Sequence, residues 1–311
     1  MSMPNTDKLA KKLQELKKLA EESGLDVTEE LSQLETKVKT ASQSEQVWKR
    51  VELARHPDRP YALDYIERIF DDFIELHGDR YFADDPAIVG GLGFLNGRPV
   101  TIIANQKGRT LKENIFRNHG MANPEGYRKA LRLAKQAEKF HRPIVTFVDT
   151  SGAYPGLGAE ERGIGEAIAR NLREFSQLKT PIVCVIIGEG GSGGALGICV
   201  GDKIYMLENA VYSVISPEGC ASILLRDSTK AKDAAVMLRI TSGDLLDFKV
   251  VNGLIDEPEG GAHLDKDGAA QRIKEVLVRE LDDLCSRNPS VLVRYRNLKI
   301  RKIGHWNEGT E

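Results

Sequence analysis

No apolar run in the 311 residues exceeds the six of Ile182–Ile187, whereas a helix that crosses a bilayer needs about 20. The sequence therefore predicts no transmembrane helix. Residues 1–12 acquire charge almost at once and lack an apolar stretch followed by a small-residue cleavage site, so no secretory signal is expected and the reading is a cytoplasmic protein. An excess of one charge is also missing: 44 Lys and Arg face 46 Asp and Glu. This balance gives no global electrostatic reason to bind nucleic acid or an anionic membrane, and any basic site must be local. Cysteine is scarce. Cys184, Cys199, Cys220 and Cys285 sit in or beside apolar runs, with no C-x-x-C and no histidine at ligand spacing. They read as buried free thiols, and no metal site is expected in this chain.

What is present falls into three parts. Residues 1–55 carry Leu9, Leu13, Leu16 and Leu19, then Leu31, Leu34, Val38, Ala41 and Trp48, at helical spacing. Ser23-Gly24-Leu25-Asp26 breaks the pattern, with Asp26 placed as a cap and Glu29 three residues later. An antiparallel helical hairpin is expected, its narrow stripe packing on a neighbouring surface or subunit. Residues 56–265 form the expected α/β core. Ile88–Leu95 and Val100–Asn105 flank Asn96-Gly97, a strong hairpin signal. Pro124 opens a helix to about Phe140. The buried strand Ile144–Val148, the loop Asp149–Gly158 and a helix over about Ala159–Leu178 follow. The cycle repeats with Ile182–Ile187, the loop Gly188–Gly194 and a short helix, which indicates largely parallel pairing. Helices are further expected near Pro217–Arg226 and Lys230–Ile240. Residues 266–311 should be a C-terminal, subunit-packing helical segment, with Arg294, Arg296, Lys299, Arg301 and Lys302 on a solvated or subunit-facing surface.

The densest chemical signal is GEGGSGGALGI, residues 188–198, where five glycines in seven residues follow a strand and open a helix. Without Cβ atoms, the amides of Gly193 and Gly194 can point together at one oxygen, aided by the helix N-terminus. One preorganised donor of this kind is worth roughly 2.7–4 kcal/mol in a transition state. The same residues satisfy G-x-S-x-G around Ser192, the elbow of a serine hydrolase. The downstream histidines, His263 and His305, lie in a Gly-rich loop and in the tail, which weakens that reading. No G-x-x-x-x-G-K-[ST] occurs. The loop Asp149–Gly156 ends the preceding strand, so both loops should share the C-terminal rim where α/β sheets bind ligands. Gln106-Lys107-Gly108-Arg109 joins that rim and could set cations near an anionic substrate, unless it is simply a solvated charged turn.

Taken in order, RHPDRPYALDYI (55–66), QKGR (106–109), ANPEGYRKALRLAK (122–135), DTSGAYPGLGAEERG (149–163), GEGGSGGALGI (188–198) and YSVISPEGCASIL (212–224) closely resemble the alpha-subunit family of bacterial acetyl-CoA carboxylase carboxyltransferases. The resemblance implies a crotonase-like α/β fold, a spiral of ββα units, in an α2β2 heterotetramer. It also implies transfer of a carboxyl group from carboxybiotin, on the biotin carboxyl carrier protein, to acetyl-CoA, giving malonyl-CoA for fatty acid biosynthesis. A separate biotin carboxylase would consume the ATP, and a beta subunit would carry the zinc ribbon. In the family, amides matching Gly193 and Gly194 stabilise the ureido oxyanion of biotin. Gly152, Ala153, Tyr154, Gly190 and Gly191 would then line the substrate pocket with Gln106, Lys107 and Arg109. If biotin itself takes the methyl proton, no His or Glu base is required. Two alternatives stay open: a crotonase-fold serine hydrolase using Ser192, and transfer to another short acyl-CoA, since one methylene separates substrates by only about 1–3 kcal/mol.

Overall fold

Buried β-branched runs organise the chain around one mixed sheet, seen in a computed structural model that describes residues 28–304 with 12, 14–16 and 18–20. Its strands are β1 (Asp71–Glu75), β2 (Ile88–Leu95), β3 (Arg98–Asn105), β4 (Ile144–Thr150), β5 (Ile182–Gly191), β6 (Lys203–Leu207), β7 (Val211–Ser213) and β8 (Gly253–Ile255). The order is β1-β2-β3-β4-β5-β6-β8, with β7 added to β5. The first three strands pair antiparallel and the pairs from β3 onward are parallel. Asn96 and Gly97, at φ 49° and 77°, make the β2–β3 turn, since a tight hairpin of this kind needs positive φ at both central residues. Every residue of β4 is buried, as a strand covered on both faces requires.

Besides the helical residues at 12, 14–16 and 18–20, the described residues hold α1 (Thr28–Ala54), α2 (Ala62–Ile69), α3 (Leu111–Phe116), α4 (Pro124–Lys139), α5 (Leu157–Glu161), α6 (Ile164–Gln177), α7 (Ser192–Leu196), α8 (Pro217–Cys220), α9 (Ala231–Leu238), α10 (Ser242–Asp247), α11 (Lys266–Cys285) and α12 (Pro289–Arg301). The described part of Met1–Lys49 forms one compact unit with Pro217–Leu238, and Arg50–Ser216 with Arg239–Glu311 forms the other. In the first, the Lys232 ammonium lies 5.9 Å over the Trp48 ring. Leu16, Leu19 and Leu34 of the expected stripe are exposed. Leu9, Leu13 and the Ser23–Asp26 break lie outside the described residues, as does His305.

Several sequence expectations are corrected. The strand expected to end at Ile187 runs on to Gly191, because β7 pairs with Glu189, Gly190 and Gly191. The helix expected over 159–178 is two, α5 and α6, broken at Gly163, whose φ of 82° no continuous helix accommodates. The segment after Pro217 is four residues of α-helix followed by a wider π turn over Ala221–Leu225. Cys285 is exposed, unlike the other three cysteines. Arg296 is not on a solvated face. It is 1% exposed, and its guanidinium donates to Asp202 Oδ1 and Oδ2 at 3.0 and 2.7 Å and to the carbonyls of Phe175, Leu178 and Thr180 at 2.7–2.9 Å. The C-terminal helix is thereby clasped to the end of α6 and the start of β6.

A second buried pair joins Arg59 to Glu257, at 2.5 and 3.0 Å, and Arg59 also donates to the Ile187 carbonyl. Beside it His56 and His263 stack with ring centroids 4.0 Å apart. Burial, then the charges of His56 and Arg59, hold His263 below the ordinary histidine value. The folded state thus binds this proton less readily than the unfolded chain. Its contribution is complete above about pH 6.5 and declines as pH falls below that value. His263→Gln is expected to flatten the dependence of melting temperature on pH between about 7 and 5, measured by thermal denaturation across a buffer series.

Candidate active site

Parallel pairing of β4 with β5 brings their C-terminal ends together, in register from Ile144↔Ile182 to Val148↔Ile186 and again, past an irregularity, at Thr150↔Gly190. The Thr150 hydroxyl holds the turn that follows, accepting from the Gly152 amide at 3.1 Å and donating to its carbonyl at 2.7 Å. On the β5 side the backbone passes directly from strand to α7. Ser192 begins that helix at φ 48°, a left-handed conformation that costs a non-glycine residue of order 1 kcal/mol and recurs at functional bends.

The two turns are in backbone contact. A Cβ on Gly194 would lie 2.6 Å from the Ala153 nitrogen and the Gly152 oxygen, and one on Gly191 would lie 2.8 Å from the Thr150 oxygen. Only glycine permits this approach. Gly193 differs: its nearest neighbour for a Cβ is the Ile168 side chain at 3.6 Å. The Gly193 and Gly194 amides belong to the first turn of α7, so they have no acceptor within the helix. Among the described residues they have no backbone acceptor outside it either. Behind them, Tyr127 Oη donates to the Gly194 carbonyl at 3.3 Å, and the buried Asn171 amide donates to the Gly197 carbonyl at 2.9 Å. Both bonds fix the direction of the helix.

Beside Gly193 lies a cavity of ≈ 250 Å³ walled by Ser192, Gly193, Leu196, Tyr212, Val214 and Leu245, while Gly194 is buried and does not line it. Its walls are apolar with hydroxyls at the edge. No histidine or carboxylate lines it, so Ser192 has neither the base nor the orienting acid of a hydrolase triad there. Tyr154 stands on the facing turn, its amide donating to the Ala122 carbonyl at 3.0 Å. Gly190 and Gly191 are strand residues paired with Tyr212 and Ser213.

The cations of QKGR have protein partners. Lys107 Nζ reaches Asp149 Oδ1 at 2.7 Å and Glu189 Oε2 at 3.1 Å, and Glu189 Oε1 also meets Arg55 at 2.7 Å. Burial would lower the Lys107 pKa, but the charges of Asp149 and Glu189 outweigh it and raise the pKa above the ordinary lysine value. Burial likewise pushes Glu189 up, and Lys107 and Arg55 bring it below the usual carboxylate value. The cluster ties the ends of β3, β4 and β5 together. Arg109 pairs with Asp64 and stacks 4.6 Å from the Tyr61 ring centroid. Gln106 Oε1 accepts from the Leu63 amide at 2.9 Å. Sequence reasoning overlooked Asp149, Glu189 and Asn171 as organisers of this rim. An acid directly before or within the loop that follows each of the two apolar runs, Asp149 and Glu189, was the available signal for the first two.

A family model described as acetyl co-enzyme A carboxylase carboxyltransferase-like matches residues 4–304. The acetyl-coenzyme A carboxylase carboxyl transferase subunit alpha of Treponema denticola is 68% identical over 296 residues, covering 95% of this chain and 97% of that protein. The subunit of the same name from Bacillus cytotoxicus is 54% identical over 300 residues, covering 95% and 93%. Among solved structures, transcarboxylase 12S with methylmalonyl-coenzyme A and methylmalonic acid bound superposes with a TM-score of 0.56 at 20% identity, covering 81% of this chain and 44% of that one. A Pseudomonas malonate decarboxylase hetero-tetramer in complex with coenzyme A gives 0.57 at 16% identity, covering 70% and 89%. At such identities the likeness is one of fold. The α/β architecture is the crotonase-like one that the motifs led us to expect.

Proposed function

The chain belongs to the acetyl co-enzyme A carboxylase carboxyltransferase-like family, and on that footing we propose that it is the alpha half of an enzyme that moves a carboxyl group from carboxybiotin to acetyl-CoA, yielding malonyl-CoA for fatty acid biosynthesis. The observation that carries the reading is the contact between Gly194 and the Gly152–Ala153 turn. It fixes the first turn of α7, whose Gly193 lines an apolar cavity and whose Gly193 and Gly194 amides lack backbone acceptors among the described residues. A neutral bicyclic urea fits such a place: apolar walls receive its rings, and its oxygen meets donors without meeting a fixed charge. Carboxybiotin, when bound, supplies the carboxyl group, and its ring nitrogen supplies the base for the acetyl methyl group. Gly193 and Gly194 would donate to the ureido oxygen as negative charge gathers on it, strengthening bonds already aimed there. Tyr127 and Asn171, by holding α7, keep those donors from turning. Gly152, Ala153 and Tyr154 would border the same mouth from the facing turn, with Gly190 and Gly191 setting its depth. Gln106, Lys107 and Arg109 would act from behind, through the β3 end that they anchor.

The reading further assigns a beta subunit that completes the site in an α2β2 assembly, a biotin carboxyl carrier protein and a biotin carboxylase as wider partners, and a cytoplasmic setting. Mixing the purified chain with its beta subunit is expected to give malonyl-CoA from carboxybiotin and acetyl-CoA, with neither chain active alone. Ser192→Ala should keep turnover within about fivefold, because the hydroxyl is not one of the donors that meet the oxyanion. A loss of several orders of magnitude in the same assay would instead favour a serine nucleophile.

A further inference from the structure

A second cavity, of ≈ 480 Å³, opens between the turn at residues 79–81 and helices α4 and α6. Its wall carries Arg80, Arg128, Arg132, Lys135 and Arg170 against one carboxylate, Asp79. Lys135 and Arg170 have Glu174 and Glu166 at 2.9 and 3.9 Å, and Arg128 lies 3.9 Å from Glu125 and 4.0 Å from Asp79 and donates to the Arg162 carbonyl at 2.5 Å. Arg80 and Arg132 bond the carbonyls of His77 and Gly78, and among the described residues neither has a carboxylate within ion-pair distance. Burial, then the adjacent Arg80 cation, lowers the Arg132 pKa below its ordinary guanidinium value, against the opposing charges of Asp84 and Asp79. Like charges crowded in a hollow are costly unless an anion joins them.

Tyr81 stands at the mouth, 80% exposed. We propose that this cavity binds a nucleoside di- or triphosphate, its phosphate chain held by the guanidinium forks from three sides and its base laid against Tyr81. Planar guanidinium groups match phosphate oxygens in pairs, and the volume is that of a small-ligand site. Asn171 links the wall to α7 through the Gly197 carbonyl, so the ligand would sit one hydrogen bond from the helix that presents the amide pair. The ligand would occupy a place other than that of the acyl-CoA substrate, which carries phosphates of its own.

Isothermal titration of the chain with its beta subunit, using ADP, ATP and pyrophosphate at physiological salt, is expected to give a Kd below about 1 mM for at least one of them. Binding should weaken as salt rises. Lys135→Gln/Arg170→Gln, both half-exposed at the rim, should fold with an unchanged melting temperature and bind at least roughly tenfold more weakly. Pyrophosphate matching ADP supports recognition of the phosphate chain, and ADP binding more tightly supports base stacking as well. Absence of binding by all three probes, equal binding by the double variant, or displacement of the probe by acetyl-CoA overturns the proposal. These readouts do not depend on turnover, so they fail separately from the carboxyl-transfer reading.

Discussion

Replacing Gly194 with alanine is expected to lower kcat for carboxyl transfer by about 10²–10³-fold, the range seen when one preorganised oxyanion donor is lost. The cause is steric. The added carbon would fall within 2.6 Å of the Ala153 nitrogen and the Gly152 oxygen, and backbone cannot yield as a flexible side-chain end can. α7 and the turn at 150–154 must therefore move apart, and the displacement of α7 carries its two amides off their line. The same chemical change one residue earlier provides the control. Gly193→Ala meets only the Ile168 side chain at 3.6 Å, an ordinary van der Waals separation, and should keep kcat within roughly threefold. Malonyl-CoA formation by each variant with its beta subunit, alongside thermal melts, tests the contrast. A folded Gly194→Ala enzyme with normal turnover would end the assignment. Gly194→Pro is the less informative variant, because proline adds the same colliding carbon while removing the amide.

The largest effect on stability should follow Arg296→Met, expected to cost about 3–5 kcal/mol by leaving Asp202 buried without its cation. Three carbonyls, of Phe175, Leu178 and Thr180, lose their donor at the same time. Against a typical total of about 5–15 kcal/mol, that is a large fraction. Calorimetry should show a clearly lowered melting temperature. Asp202→Asn added to Arg296→Met should recover part of the loss, since asparagine is neutral and still offers an oxygen to the Ile182 amide that Asp202 now accepts at 2.8 Å. An unchanged melting temperature for the single variant would show that the buried charge is compensated elsewhere.

Those two sites mark what local sequence can and cannot report. Residues 144–148 and 182–187 were readable as adjacent parallel strands because each is a short β-branched run followed by glycine and then a helical pattern. The Gly193–Gly194 turn was readable for the same reason. The extension of β5 to Gly191 was not, since it depends on pairing with a three-residue strand some twenty positions later, and glycine has low strand preference of its own. Arg296 was hidden for a different reason. Five basic residues near a terminus look like a solvated face, and the partner that makes one of them a buried clasp, Asp202, lies 94 positions earlier. Lys107 likewise invites reading as a cation offered to substrate. Only the fold shows that Asp149 and Glu189 already surround it.

The smaller of the two compact units is assembled from segments far apart in the chain, the described part of Met1–Lys49 and Pro217–Leu238. At a translation rate of about 5–20 residues per second, its leading segment leaves the ribosome roughly 10–30 s before the stretch that completes it has been made. During that interval the leading segment lacks Pro217–Leu238, the stretch that completes its unit. Expressing residues 1–216 without the remainder should therefore yield a product more prone to aggregate than the full polypeptide.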